Sequence, residues 1–211
     1  MLDHVQFPKS EGNWSNRVRI SVNGEAAWVT MPVERNYEGF RRIDEMHIDN
    51  RSPWRRKLLQ SLRTNYGRAN AFREVFPDVE AWVEHPAALL ADYNLHAVTG
   101  ICARLGLSAS HLVRSSTLGV AGSRTDLLVK LVAQVGGTVY LSGDGSDGYL
   151  DAATCEAAGL ALEFQQFAHP TYPQRAGAPF VRGLSVLDAL FHRGFDGAAA
   201  LFAQSRPETS P

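Results

Sequence analysis

From residue 111 onward the chain alternates short apolar runs with helix-length patterns, and the helical patterns between those runs stop at glycine. Runs at 111–115, 138–141 and 160–167 read as strands. The stretches 125–135 and 149–158 read as helices, closed by Gly136-Gly137 and by Gly159. This order leaves few stable solutions, because two parallel strands need a crossover long enough to hold a helix. The C-terminal half is therefore expected to form a parallel βαβαβ unit. Upstream, 17–20 and 27–31 flank Asn23-Gly24, the dipeptide that best suits a two-residue hairpin turn. The expected fold is α/β: one domain over 1–204, a mixed sheet with an N-terminal hairpin, and a disordered tail over 205–211.

Helices fill the middle. Ser52-Pro53 reads as a helix start, followed by a stripe of Trp54, Leu58, Leu59, Leu62 and Tyr66 at helical spacing. Shorter helices are expected at 78–84, 185–192 (with Ser185 as N-cap) and 195–203. A longer one is expected at 86–105, ended by Gly106. A further strand is expected at 45–48.

With a formal net charge of −1, nothing suggests a nucleic-acid binder. No run approaches the roughly 18 apolar residues of a membrane span, and the N-terminus lacks a secretory pattern. A cytoplasmic protein is expected, with no membrane partner. Cys102 and Cys155 stand far apart without metal spacing, so free buried thiols are expected. Basic charge comes almost wholly from arginine, and alanine and glycine are abundant, which suggests a high-GC bacterial genome. The arginines of the first third read as a solvated face, or as ligands for an anionic substrate group.

Three stretches carry candidate chemistry. The first is YLSGDGSDGYLD at 140–151, at the carboxyl end of an expected parallel strand, where α/β folds place ligands. It matches neither a Walker A loop, nor a dinucleotide fingerprint, nor a calcium loop. Asp144 and Asp147, with Ser142 beside them, can bind Mg²⁺, a sugar hydroxyl or an ammonium group; an ordinary turn is equally compatible. The second is His169-Pro170-Thr171-Tyr172-Pro173-Gln174, a loop stiffened by two prolines. His169 is the candidate general base; a surface histidine satisfied by backbone is the plain alternative. The third joins Asp3, His4 and Gln6 to Asn16 and Arg17, donors for a carbonyl or an anion. His85, His96 and Asp92 lack metal spacing, no Gly-x-Ser-x-Gly elbow occurs, and Cys155 sits mid-helix, a poor place for a nucleophile. No metal site and no cofactor follow from any motif.

Taken in order, these stretches resemble the WbqC-like family. LDHVQFPKSEGNWSNRVRI (2–20) is similar to its Asp-Val-Gln-aromatic strand and Trp-x-Asn-Arg-x-x-Ile hairpin. WVTMPV (28–33), SPWRRKLLQSLRTNYGRA (52–69) and YLSG…YLD follow at matching places. HPTYPQ…FVRGLSVLDALFHRG (169–194) is similar to its His-Pro-x-Tyr-x-Gln…Leu-Ser-x-x-Asp-x-Leu-Phe-Asn-x-Gly. Members of the family usually begin further upstream, with a His-Gln-Pro…Pro-Trp strand that is not seen here. His4 stands where aspartate is common, and His192 where asparagine is common.

The resemblance implies a role in O-antigen, other polysaccharide or secondary-metabolite clusters, where a glycine-transferase activity has been suggested. The expected activity is transfer of an activated acyl or aminoacyl group, glycyl among them, onto the amine of a sugar or related small molecule. His169 is the first choice of base and His4 the second. Asn16 and Arg17 would stabilise negative charge, Asp144 and Asp147 would hold the acceptor, and Tyr172 and Gln174 would orient it. Expected partners are the small-molecule substrate and an acyl-carrier or aminoacyl donor. The alternatives are a non-catalytic binding partner in a biosynthetic assembly, or a sugar-nucleotide isomerase or lyase. Asp188, inside a mostly apolar helix, is expected to fasten a neighbouring loop.

Overall fold

A computed structural model describes residues 1–8, 14–143, 150–175 and 177–204. The chain is α/β, with an antiparallel hairpin, six helices and a parallel strand pair among the described residues. It divides into two compact units, Met1–Leu2 with Val113–Ala168, and Asp3–Leu112 with His169–Gln204.

The larger unit begins with the hairpin of β1 (Arg17–Val22) and β2 (Glu25–Thr30). Asn23 and Gly24 both take positive φ, 54° and 88°, the conformation that a tight hairpin turn requires and that asparagine and glycine tolerate best. The turn sets Val22 opposite Glu25 and carries the register back to Arg17 opposite Thr30. Three helices follow: α1 (Trp54–Tyr66), α2 (Phe72–Glu84) and α3 (Leu90–Arg104). Ser52 does not cap α1. The helix opens one residue later than Ser52-Pro53 suggested, with the Pro53 carbonyl accepting from Lys57 N–H. The stripe is otherwise as its spacing predicts, with Trp54, Leu59, Leu62 and Tyr66 buried.

Residues 45–48 form no ladder of their own. They supply single bridges, Val33 to Ile48 and His47 to Leu89, that strap the chain to the start of α3. The core packs Phe7, Ile20, Met46, Leu62, Val75, Val79, Leu90, Leu190 and Phe191 together. Tyr66 lies against Phe191 at 4.9 Å between ring centroids, and Phe72 stacks on Phe76 at 4.7 Å.

In the smaller unit, α4 (Arg124–Gln134) leads to β3 (Val139–Ser142), α5 (Ala152–Ala157) and β4 (Ala161–Phe164). β3 and β4 pair in parallel, with Val139 opposite Ala161. Asp151 caps α5, accepting from Ala153 N–H at 3.1 Å and from the Thr154 hydroxyl at 2.6 Å. The run 111–115 joins no strand. Leu112 N–H is taken up in a turn by the Ala109 carbonyl, and Ser115 N–H goes to the Met1 carbonyl. The parallel part is therefore one βαβ unit, and the two strand pairs form separate sheets. β3 is also less buried than an apolar run suggests: Val139 and Leu141 are exposed, while Ser142 is buried. Both cysteines are free, Cys155 buried and Cys102 half-buried.

The last helical run, α6 (Val186–Gln204), belongs to the larger unit and is broken at Gly194, whose φ of 70° and ψ of −179° lie outside helical space. The expected helices at 185–192 and 195–203 are its two parts. No helix among the described residues is long and apolar enough to cross a membrane.

Candidate functional site

A cleft of about 750 Å³ opens in the larger unit between the hairpin turn, the end of α1, the loop after His169 and the first part of α6. That volume suits a small-molecule site. Its floor is made by Asp188, His192, Tyr66 and Gln174. Asp188 and His192 stand one helical turn apart on α6 and so share a face.

The Asp188 side chain is 1% exposed and anchors a buried polar cluster. Its Oδ2 accepts from the Tyr172 hydroxyl at 2.9 Å and from Gln174 Nε2 at 2.8 Å. Its Oδ1 faces His192 Nε2 at 3.9 Å, beyond hydrogen-bond distance, and takes no hydrogen bond of good geometry, although the Tyr66 hydroxyl also interacts with this carboxylate. A buried carboxylate oxygen without a well-formed hydrogen bond is costly and uncommon. The Tyr66 hydroxyl accepts from Ser21 N–H at 2.8 Å, joining α1 to the hairpin over the same floor.

Burial dominates the electrostatics. It lowers the His192 pKa from the ordinary histidine value, with the Asp188 charge acting in the opposite sense. The imidazole is therefore neutral at pH 7 and able to accept a proton. Burial, reinforced by Asp188, pushes the Tyr66 and Tyr172 hydroxyls far above the ordinary tyrosine range. Both remain protonated, so Tyr172 is a fixed donor to the carboxylate.

The loop that carries Tyr172 is closed on itself. Gln174 binds Val181 twice, its Oε1 accepting from Val181 N–H at 2.8 Å and its Nε2 donating to the Val181 carbonyl at 3.1 Å. His169 pins the base of the loop. Its Nδ1 donates to the Pro170 carbonyl at 3.0 Å, and its Nε2 accepts from Gly183 N–H at 3.2 Å. Those partners fix the neutral Nδ1–H tautomer. Gly183, at φ 68°, is also held from the hairpin, where Arg19 Nε donates to its carbonyl at 3.0 Å.

The structure thus brings Tyr172 and Gln174 to the Asp188 carboxylate, with His169 in the same loop but not lining the cleft. Asp3, His4, Gln6, Asn16 and Arg17 lie elsewhere in the larger unit. Asp3 is fully buried and its carbonyl accepts from Asp44 N–H. His4 is half-buried. Gln6 bridges to Arg42. Asn16 is buried and exchanges hydrogen bonds with Met31, its Nδ2 reaching the Met31 carbonyl at 2.8 Å. Arg17 lies over the Trp28 ring at 4.2 Å. Ser142 belongs to the smaller unit, buried at the end of β3. Asp144 and Asp147 lie outside the described residues.

From the sequence, His192 stands out only as a departure from the family's asparagine, Arg68 only as one of many arginines of the first third, and Tyr66 as a core residue; none is assigned to the site. The available signal is the Asp188-x-x-x-His192 spacing, two polar residues on one face of a mostly apolar helix. No group of three or more histidine, cysteine, aspartate or glutamate side chains placed to hold a metal occurs among the described residues.

No solved structure matches the chain. Among curated proteins, "Uncharacterized protein Rv1507c" of Mycobacterium tuberculosis is 28% identical over 196 residues, 92% of this chain and 83% of that protein. The sequence profile of the WbqC-like protein family matches residues 1–200, the cleft included, and the chain belongs to that family.

Proposed function

We propose that the cleft forms an amide, transferring an activated acyl or aminoacyl group onto the amine of a sugar or related small molecule in polysaccharide or natural-product biosynthesis. The observation that carries this reading is the pairing, on the cleft floor, of a neutral His192 with a buried Asp188 carboxylate whose Oδ1 takes no hydrogen bond of good geometry within the protein. An amine on the cleft floor presents an N–H to His192 Nε2, with the buried Asp188 carboxylate 3.9 Å from that nitrogen.

The step then balances without a covalent enzyme intermediate. The amine nitrogen attacks the carbonyl carbon of a thioester or ester donor, and the N–C bond forms. His192 accepts the amine proton at Nε2, and Asp188 stabilises the resulting imidazolium. The C–S or C–O bond breaks, and the proton passes to the departing thiolate or alkoxide. His169 serves this chemistry indirectly. Using its Nε2 as a base would require giving up the Gly183 bond that holds the loop, so in this reading it positions Tyr172 and Gln174.

The test is turnover. Purified protein is incubated with acyl and aminoacyl thioesters, glycyl included, and a panel of amino sugars, with thiol release and product mass as readouts. His192→Gln is expected to lower kcat by about 10²–10⁴-fold, the usual span for a general base. Amide formation that is indifferent to His192 would remove it from the mechanism. Ligand binding without any amide product would favour a binding module instead.

A further inference from the structure

The two walls of the cleft are built alike. The end of α1 sends Tyr66 to the floor, and Arg68 follows two residues later. The loop after His169 sends Gln174 to the floor, and Arg175 follows at once. Both arginines line the cleft and are exposed to solvent.

Neither guanidinium has an acidic partner among the described residues. Other arginines of this chain do: Arg63, also on α1, pairs with Glu80, Arg104 with Asp78, and Arg51 with Asp49. Among the described residues, Asp188 is the only acidic side chain lining the cleft, and its charge is already bound on one oxygen by Tyr172 and Gln174. The mouth is therefore cationic, while the floor offers a neutral base, His192, backed by the buried Asp188 carboxylate. The remaining lining is rich in uncharged polar groups, with Asn23, Asn65 and Asn70 able to bond hydroxyls.

We infer that the amine acceptor carries an anionic group, a phosphate or a carboxylate, held at the mouth by Arg68 and Arg175 while its amine reaches His192 on the floor. Guanidinium forks fit both anions with paired, charge-assisted hydrogen bonds. An amino sugar with such a substituent is the matching class: hydroxyls for the asparagines, an amine for the floor, an anion for the rim. This inference rests on the amide-forming reading of the same cleft, and it can fail separately from it.

Calorimetric titration of the whole chain with glucosamine, glucosamine 1-phosphate and muramic acid tests it. At least one of the two anionic amino sugars is expected to bind about tenfold or more tightly than glucosamine. Which one does so identifies the anion as phosphate or carboxylate. Arg68→Gln and Arg175→Gln are expected to remove that advantage, and Arg→Lys is expected to restore part of it. Raised salt is expected to reduce it.

The inference is overturned if glucosamine binds as well as both anionic sugars, if none of the three binds, or if the glutamine variants leave the ratio intact. Turnover of neutral amines that depends on His192 but ignores Arg68 and Arg175 would sink the anionic acceptor and keep amide formation. Arginine-dependent anion discrimination with no amide product would do the reverse.

Discussion

His192 Nε2 lies 3.9 Å from Asp188 Oδ1, one helical turn away, and burial rather than the carboxylate decides the charge of the imidazole. The carboxylate spends its other oxygen on Tyr172 and Gln174, which tie the loop to α6. One acidic residue thus anchors the loop and stands beside the candidate base.

That relationship has a pH signature in activity. With its pKa held below the ordinary histidine value, His192 stays neutral to lower pH than a free histidine. The acid limb of kcat/KM is expected to fall with an apparent pKa below about 6.5. A limb at or above that value would contradict the burial argument. The rate measurement should extend well below pH 6 to see it.

The same shift affects stability. Between the lowered folded pKa and about 6.5, the unfolded chain binds a proton at His192 that the folded chain does not. Its contribution is therefore complete above about pH 6.5 and is lost as pH falls toward the folded value. Urea midpoints measured from pH 7.5 to 5.5 are expected to fall more for the native chain than for His192→Gln. Parallel curves would show that His192 titrates normally in the fold.

Asp188→Asn replaces an acceptor-only group with one that presents an amide N–H to a cluster of donors. One or both bonds from Tyr172 and Gln174 are expected to weaken, each worth about 1.5–3 kcal/mol to a charged acceptor. The loss should appear as a lower unfolding midpoint and as faster hydrogen exchange at Val181 and Gly183. Tyr172→Phe removes one of the two bonds and is expected to cost less than Asp188→Asn.

Gly194 ends the first part of α6 at φ 70° and is buried. A Cβ there would come within 3.2 Å of Glu74 Oε2 and 3.6 Å of Ala71 Cβ. Gly194→Ala is expected to destabilise by about 1–3 kcal/mol, lowering Tm by roughly 2–4 °C per kcal/mol. An unchanged Tm would mean that the break in α6 can be remade at no cost.

His169→Ala separates loop positioning from proton transfer. Losing the ring frees Gly183 N–H and the Pro170 carbonyl, so the loop carrying Tyr172 should loosen. In the positioning role KM rises more than kcat falls, and the acid limb of the pH profile stays where it was. A loss of kcat matching that of His192→Gln, with the acid limb abolished, would return the base role to His169.

Much of the architecture was legible because its causes are local. Asn23-Gly24 could accept two positive φ angles, so the hairpin and its register followed. Glycines 106, 136 and 159 closed helices because each takes a left-handed φ there. The two prolines flanking Tyr172 marked a stiff loop that presents polar tips. The run 111–115 misled because β pattern is only a tendency until another strand accepts the hydrogen bonds, and here a turn and the Met1 carbonyl take them instead.

The sequence alone determined which segments could be helix, turn or loop, since those preferences come from sterics and hydrogen bonding within a few residues. Only the tertiary structure decided that Asp188, His192, Tyr66 and Gln174 share one floor and that Arg68 and Arg175 share one rim. Tyr66 comes from the other end of the larger unit's sequence, and the lowered His192 pKa and the poorly bonded Asp188 Oδ1 are consequences of burial, which no short stretch of chain specifies.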